Sequence, residues 1–242
     1  MKRKEMAKLA IPKGSFATNE YFYDERFIYA KTKEDGELLK LALFDGGFYK
    51  LRVFNGVPIL EIDGLRMHLV KEFKTPLDYS KQVVKELRIK KGDFVLDTCM
   101  GLGYTAIEAN SAGASVTTCE ISRAVLTLAQ WNPWSQMLFG NPGITLLEGD
   151  VSEQIKKMDA GSFDAVIHDP PRFSKAGQLY SLEFYKHLHR VMKPGGRLFH
   201  YAGSVGKEKG RRIDEEVEKR LKEAGFSKIK KIRNLQGLAA LR

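Results

Sequence analysis

The sequence predicts an α/β protein, with a doubly wound parallel sheet over residues 76–242 preceded by a small antiparallel β-rich domain over residues 1–75. Three observations predict it. Between Phe27 and Val70, short aromatic and β-branched runs are separated by Asp35-Gly36, Asp45-Gly46-Gly47, Asn55-Gly56 and Asp63-Gly64, the residues of tight hairpin turns. From Leu77 onward, strand-like and helix-like segments alternate in the way that builds a parallel sheet. Between them stands Lys74-Thr75-Pro76, where proline disfavours helix in the residue before it and suits the first position of the next element.

Residues 1–20 carry Lys2-Arg3-Lys4, Lys8 and Lys13 with little periodicity and read as a mobile basic arm. Strands are expected at 27–30, 38–44, 48–54, 58–62 and 65–70, forming one small meander. Its Tyr21, Tyr23, Tyr29, Tyr49, Lys50, Arg52 and Arg66 are the types that stack on and neutralise nucleic acid. A sheet that covers one end of the following domain, or dimerises, is an equal alternative. A helix at 77–87 follows, then strands at 93–97, 115–120, 144–148, 163–168, 196–201, 227–232 and 237–241. Helices are expected near 104–112, 122–131, 151–158, 181–192 and 210–224, with Lys193-Pro194-Gly195-Gly196 as the turn before the fifth strand of this set. No repeat or low-complexity segment occurs.

At 242 residues and 43% hydrophobic content the chain can bury a sizeable core. Its apolar runs are far short of a spanning helix, and no apolar stretch follows the N-terminal charges, so neither a membrane nor a signal peptide is expected and the location is read as cytoplasmic. Two cysteines, Cys99 and Cys119, are too few for a disulfide framework or a zinc site. No metal set is visible among the five histidines. The net charge of +10 favours a polyanion such as RNA, although lysine- and glutamate-rich surfaces also occur in heat-adapted proteins.

The densest chemistry lies in Phe94–Ala106, an apolar strand, a turn with two glycines and the start of a helix, whose free N–H groups would face a ligand. The spacing is Asp97-x-x-x-Gly101-x-Gly103. It lacks the third glycine of a dinucleotide fingerprint and the Gly-Lys-Ser/Thr of a phosphate loop, so nothing neutralises a polyphosphate, and the acid suits a positively charged ligand. Close helix–strand packing is the plain alternative. Glu120 closes the next strand about twenty residues on, where a carboxylate reaches ribose hydroxyls. Asp150 follows the third strand, where helix capping is an alternative that can coexist with ligand contact.

Here the sequence resembles the class I S-adenosylmethionine-dependent methyltransferases, over roughly residues 76–242. The resemblance implies a Rossmann-like seven-stranded sheet, S-adenosyl-L-methionine as cofactor and S-adenosyl-L-homocysteine as product. It implies cofactor contacts from Asp97, Thr98, Gly101, Gly103, Tyr104, Glu120, Ile121, Asp150, Val151 and Asp169, with Asp150 on the adenine amine. Ile167-His168-Asp169-Pro170-Pro171-Arg172-Phe173 resembles the Asp/Asn-Pro-Pro-aromatic motif of members that methylate exocyclic base amines or amide nitrogens. Such an amine is a poor nucleophile because its lone pair is delocalised, so acceptors must hold its protons while it turns toward the methyl group. Asp169 Oδ and the Pro170 carbonyl are the candidates, with Pro170 and Pro171 stiffening the loop. The family places an aromatic residue directly after the prolines, where this chain has Arg172 and then Phe173. Arg172 would stack or grip a phosphate, and Phe173 would offer a ring face.

His168 reads as a packing or hydrogen-bonding residue, and His200-Tyr201 as a pocket rim. Carbon-5 pyrimidine methylation needs a cysteine at the substrate loop, and neither cysteine is there. Lys207, Lys209, Arg211 and Arg212, with Lys228, Lys230, Lys231 and Arg233, would track RNA or form a salt-bridged face with Asp214, Glu215, Glu216 and Glu218. Trp131-Asn132-Pro133-Trp134 reads as packing. The whole pattern looks like a family of archaeal predicted methyltransferases associated with N4-cytosine methylation of small-subunit ribosomal RNA. The resemblance thus implies a methyltransferase acting on a base amine in RNA. Methyl or aminopropyl transfer to a small amine, a protein substrate, and a non-catalytic RNA-binding role are the alternatives.

Overall fold

The computed structural model describes residues 6–12, 19–33, 36–68, 72–173, 176–203 and 213–242. The chain forms two compact units that interleave along the sequence. One comprises residues 1–79, 101–104 and 122–140, the other residues 80–100, 105–121 and 141–242. The α-helices are α1 (Pro76–Glu86), α2 (Tyr104–Ser111), α3 (Arg123–Trp131), α4 (Val151–Lys157), α5 (Leu182–Val191) and α6 (Ile213–Glu223).

The first unit holds two four-stranded antiparallel sheets rather than one meander. β1 (Ala7–Lys8), β2 (Glu20–Tyr23), β3 (Ile28–Lys31) and β4 (Leu38–Lys40) form the first. β5 (Ala42–Phe44), β6 (Phe48–Phe54), β7 (Val57–Ile62) and β8 (Leu65–Arg66) form the second. The expected strand over 38–44 is divided at Leu41. This buried residue donates its N–H to Ile28 O (2.8 Å) and accepts from Leu51 N–H (2.9 Å), passing the chain from one sheet to the other. Asn55-Gly56 and Asp63-Gly64 make the expected two-residue hairpins, all four at positive φ. Part of the supposed arm is ordered strand, since Ala7 and Lys8 pair with Tyr23 and Phe22, and Leu9 is buried. Lys2, Arg3, Lys4 and Lys13 lie outside the described residues. Helix α3 packs on β5 and β6 in this unit, and Ser122 caps it by accepting from Val125 N–H.

The second unit is built on β9 (Phe94–Asp97), β10 (Ser115–Glu120), β11 (Ile144–Glu148), β12 (Phe163–His168), β13 (Met192–Tyr201), β14 (Ser227–Ile232) and β15 (Gly237–Leu241). Its sheet order is β11-β10-β9-β12-β13-β15-β14. Strands β9 to β13 are parallel, and β15 is antiparallel to both neighbours, so the sheet is mixed rather than wholly parallel. The cause is the link from β14 to β15. It is one 3-10 turn, Arg233–Leu235, and Gln236 at φ 49°, whereas a parallel crossover needs a dozen residues or more. Leu96, Val166 and Leu198 are fully buried, as central parallel strands require. Strand β13 begins at Met192, four residues before the expected start. Pro194-Gly195-Gly196 lies within it, with Gly195 at φ +76° and the pairing to β12 shifted between Phe163 and Ala165. Strand order reverses between β9 and β12, and the crevice at the carboxyl ends of such strands is where open α/β sheets bind ligands.

Candidate active site

Asp97, at the carboxyl end of β9, is fully buried. Its Oδ2 accepts from Thr118 Oγ1 (3.1 Å) and Thr105 Oγ1 (3.3 Å), while no hydrogen bond of ordinary geometry reaches buried Oδ1 among the described residues. Burial drives the carboxyl upward to about 7. The Thr118 and Thr105 hydroxyls and the Cys99 amide oppose that rise, and the charge on Asp169 adds to it. A buried carboxylate with a second carboxylate in electrostatic reach is a setting that positive charge relieves. Glu120 is half-buried at the end of β10, and Ile121 beside it is 65% exposed. Asp150 caps α4 by accepting from Ser152 N–H (2.8 Å) through Oδ1, and Val151 is buried.

Thr98 is also buried, and its hydroxyl is committed to His168 Nδ1 at 2.7 Å. His168 Nε2 lies 3.0 Å from Leu179 O, an acceptor, so Nε2 carries the proton and Nδ1 accepts from Thr98. Burial lowers the ring to about 4, so it is neutral and serves as a cross-brace, in keeping with the hydrogen-bonding role expected of it. His200 departs from expectation. It is fully buried rather than on a rim, with Nε2 2.7 Å from Tyr185 Oη and its ring centroid 4.4 Å from that of His168. Tyr201 is half-buried.

Asp169 is half-buried directly after β12. Its charge reaches Asp97, Cys99, Tyr180 and Tyr201. The Tyr201 phenol is pushed up to about 12, chiefly by burial, with Asp169 adding and Arg172 opposing. Pro170 is buried, and no hydrogen bond to its carbonyl occurs among the described residues. The Pro171 carbonyl accepts from Tyr180 Oη at 3.0 Å. Phe173 is 42% exposed and stands edge-on to Tyr180, centroids 5.4 Å apart. Arg172 is exposed. The loop that leaves β12 is thus braced twice, at His168–Leu179 and at Pro171–Tyr180. Both thiols lie high, Cys119 at about 12 and Cys99 well above the ordinary range, chiefly through burial, so neither is a ready nucleophile.

The glycine turn belongs to the first unit. Gly101 has φ +57° and Gly103 φ +74°, both in the left-handed region. A Cβ on Gly103 would stand 2.2 Å from Leu138 Cδ1, so close packing accounts for that glycine, whereas a Cβ on Gly101 would meet nothing within 4 Å. Tyr104 is buried, and its hydroxyl donates to Pro58 O (2.8 Å) and accepts from Asn132 Nδ2 (3.0 Å).

The proposed nucleic-acid set of the β domain is altered. Tyr21 is buried, and Lys50 and Arg52 pair with Glu61 at 2.8 and 3.1 Å; burial pushes the Glu61 carboxyl up, but the two cations outweigh it and hold it low. Exposed there are Phe44 and Phe48, with Lys40 4.5 Å from the Phe27 ring centroid. On β14, Lys230 pairs with Glu86 and Lys231 with Asp214, both at 2.5 Å. Lys207, Lys209, Arg211 and Arg212 lie outside the described residues. Among the described residues no group of three or more His, Cys, Asp or Glu is placed to hold a metal, and no helix is long and apolar enough to cross a membrane.

Sequence reasoning missed Thr105, Thr118, Tyr180 and Ser135. Thr118 pairs directly with Asp97 across β10 and β9, a register that no local pattern encodes. Tyr180 lies nine residues beyond its partner in a 3-10 turn, Gly177–Tyr180, to which the sequence assigns no element.

The sheet order β11-β10-β9-β12-β13-β15-β14 is that of the class I S-adenosyl-L-methionine-dependent fold. A family model described as S-adenosyl-L-methionine-dependent methyltransferase matches residues 123–236. The particular family is that of MJ1233 from Methanocaldococcus jannaschii, named only as an uncharacterized protein; it is 48% identical over 220 residues, covering 90% of this chain and 75% of the relative. Two further relatives are matched over less of their length. Polyamine aminopropyltransferase 2 of Streptomyces coelicolor is 32% identical over 96 residues, 37% of this chain and 17% of that protein. MJ1649 of M. jannaschii, provisionally named a ribosomal RNA large subunit methyltransferase, is 30% identical over 156 residues, 63% of this chain and 39% of that protein. Among solved structures, a spermidine synthase in complex with the transition state analogue AdoDATO aligns with TM-score 0.68 at 16% identity, over 97% of this chain and 83% of that one, a likeness of fold. The cofactor is S-adenosyl-L-methionine. Within the second unit, the buried Asp97 carboxylate, with Oδ1 lacking a hydrogen-bond partner, suits a ligand that carries positive charge.

Proposed function

We propose that this protein methylates an exocyclic base amine in RNA, and specifically N4 of cytidine in ribosomal RNA. The observation that carries this reading is Asp169, held directly after β12 within electrostatic reach of Asp97, on a loop braced by Tyr180 and His168 and bearing exposed Phe173. S-adenosylmethionine supplies an electrophilic methyl carbon on positively charged sulfur. Asp97 would attract its cationic amino-acid end, Glu120 would take the ribose hydroxyls, Ile121 and Val151 would flank the adenine, and Asp150 would accept from the adenine amine through the oxygen that its capping bond leaves. Asp169 Oδ and Pro170 O accept the two amine protons of the target base, which turns the nitrogen lone pair out of the ring. Bound S-adenosylmethionine would supply the methyl group to that nitrogen and leave as S-adenosylhomocysteine, and Asp169 or water would take the proton that the amine loses. Phe173 offers its face to the base and Arg172 its guanidinium to a phosphate. Residues 1–75 form a domain that contributes RNA contacts from the Phe27, Phe44 and Phe48 face, supported by the net charge of +10.

A second reading, aminopropyl transfer to a small amine, is favoured by the polyamine aminopropyltransferase match and by the spermidine synthase fold across 97% of the chain. The excess of basic residues disfavours a cationic acceptor. Asp169→Ala tests the first reading. Binding of S-adenosylhomocysteine by calorimetry is expected to persist while transfer of labelled methyl to RNA falls by about two orders of magnitude or more. Undiminished transfer would remove Asp169 from its orienting role.

A further inference from the structure

We infer that Asn132 is the positioning residue of the cofactor turn, acting through Ser135 and Tyr104 to fix the backbone from Leu102 to Tyr104; this rests on reading that turn as the cofactor cradle. Asn132 is fully buried, one residue beyond α3. Its Nδ2 lies 2.7 Å from Ser135 Oγ and 3.0 Å from Tyr104 Oη, and its Oδ1 accepts from Trp134 N–H at 3.2 Å. The proton assignment is forced. Ser135 Oγ donates to Leu102 O (2.7 Å) and Tyr104 Oη donates to Pro58 O (2.8 Å), and both partners are carbonyls that only accept. Each hydroxyl has therefore spent its one proton and must accept at Asn132, which needs two donors on a single nitrogen. An amide supplies them, and a carboxylate of the same shape supplies none.

The remaining residue of the stretch is held by packing, because Leu138 occupies the space that a Cβ on Gly103 would need. Leu102, Gly103 and Tyr104 are thus fixed in succession by Ser135, Leu138 and Asn132. A Cβ on Gly101, by contrast, would meet nothing within 4 Å. The ring of His68 lies 5.5 Å from that of Tyr104, and Leu60 N–H donates to His68 Nδ1 at 3.3 Å, so β7 supports the same phenol through Pro58 and through His68. This polar network gives the Asn-Pro-Trp-Ser stretch a task beyond packing.

The test is calorimetric titration of S-adenosylhomocysteine into the full chain carrying Asn132→Asp, Ser135→Ala or Ser135→Thr, with a melting curve for each. Asn132→Asp and Ser135→Ala are expected to weaken binding about 10- to 100-fold, and Ser135→Thr, which keeps the hydroxyl, to restore most of it. Asn110→Asp is the control, since its Nδ2 bonds Ala114 O and Gly143 O at the far end of α2; it is expected to lower the melting temperature and leave affinity unchanged. Wild-type affinity in a folded Asn132→Asp protein would overturn the inference. If that variant does not fold, wild-type affinity in Ser135→Ala overturns it instead. Gly101→Val separates the two levels: if it too binds normally, the turn is not the cradle, whereas if it alone loses binding, only the role of Asn132 fails.

Discussion

Asp97→Asn is expected to make the cofactor-free protein more stable at pH 8 while weakening its hold on the cofactor. The carboxyl is fully buried, and its pKa rises from 3.8 to about 7, which corresponds to about 4 kcal/mol of cost for keeping it ionised in the fold. Because the folded-state value lies above the unfolded one, the folded protein binds the extra proton between pH 3.8 and about 7. Stability from this group is therefore present below that window, falls as pH rises through it, and is flat above it. Asparagine removes the charge, and its oxygen can still accept from Thr105 and Thr118. Its Nδ2 would replace an oxygen without a partner and cost about 1–3 kcal/mol as a buried donor. The net gain at pH 8 is about 1–3 kcal/mol, or about 2–4 °C in melting temperature per kcal/mol for a chain of this size. Melting curves of both proteins from pH 5 to pH 9 without cofactor measure it, and S-adenosylhomocysteine titration at pH 8 measures the loss of binding. The two melting temperatures should diverge as pH rises toward 7 and stay apart above it. A difference that does not change with pH would refute the assignment of a raised carboxyl at Asp97.

Three further outcomes follow from the same geometry. Tyr180→Phe removes the hydroxyl that holds the Pro171 carbonyl and should lower kcat about tenfold with the KM for cofactor unchanged, measured by steady-state methyl transfer. Glu61→Gln leaves Lys50 and Arg52 short of a charged partner in a half-buried setting and should destabilise the protein by about 1–3 kcal/mol in urea unfolding. Deleting residues 1–72 should weaken both RNA and cofactor binding, because Pro58 and His68 support Tyr104 in the glycine turn; RNA binding unchanged in gel shift would leave the β domain a structural role alone.

Six of the seven strands of the second unit were legible to within a residue and β13 from its fifth residue on, the central ones because Val95-Leu96 and Ala165-Val166-Ile167 are buried on both faces. The direction of β15 was not, since it depends on the length of the link after Ile232 rather than on any local pattern. In the β domain, hairpin dipeptides announced the turns, but nothing in Leu38–Phe44 announces that Leu41 changes sheets; that needs partners at Ile28 and Leu51. The strand-end positions of Asp97, Glu120, Asp150 and Asp169 were legible because they follow local strand patterns. The candidate site was illegible where support comes from afar. Thr98 and Tyr104 sit in the motif yet turn their hydroxyls to His168 and to Pro58 and Asn132, and the braces at Tyr180 and Ser135 carry no signature in the chain.

The most direct measurement supplies ribosomal RNA from cells lacking this protein with methyl-labelled S-adenosylmethionine and the purified protein, then digests the RNA to nucleosides for mass spectrometry. Label in N4-methylcytidine or N4,N4-dimethylcytidine is the expected result. Unlabelled RNA from a protein that binds S-adenosylhomocysteine normally, with transfer from decarboxylated S-adenosylmethionine to a small amine in a parallel reaction, would contradict it.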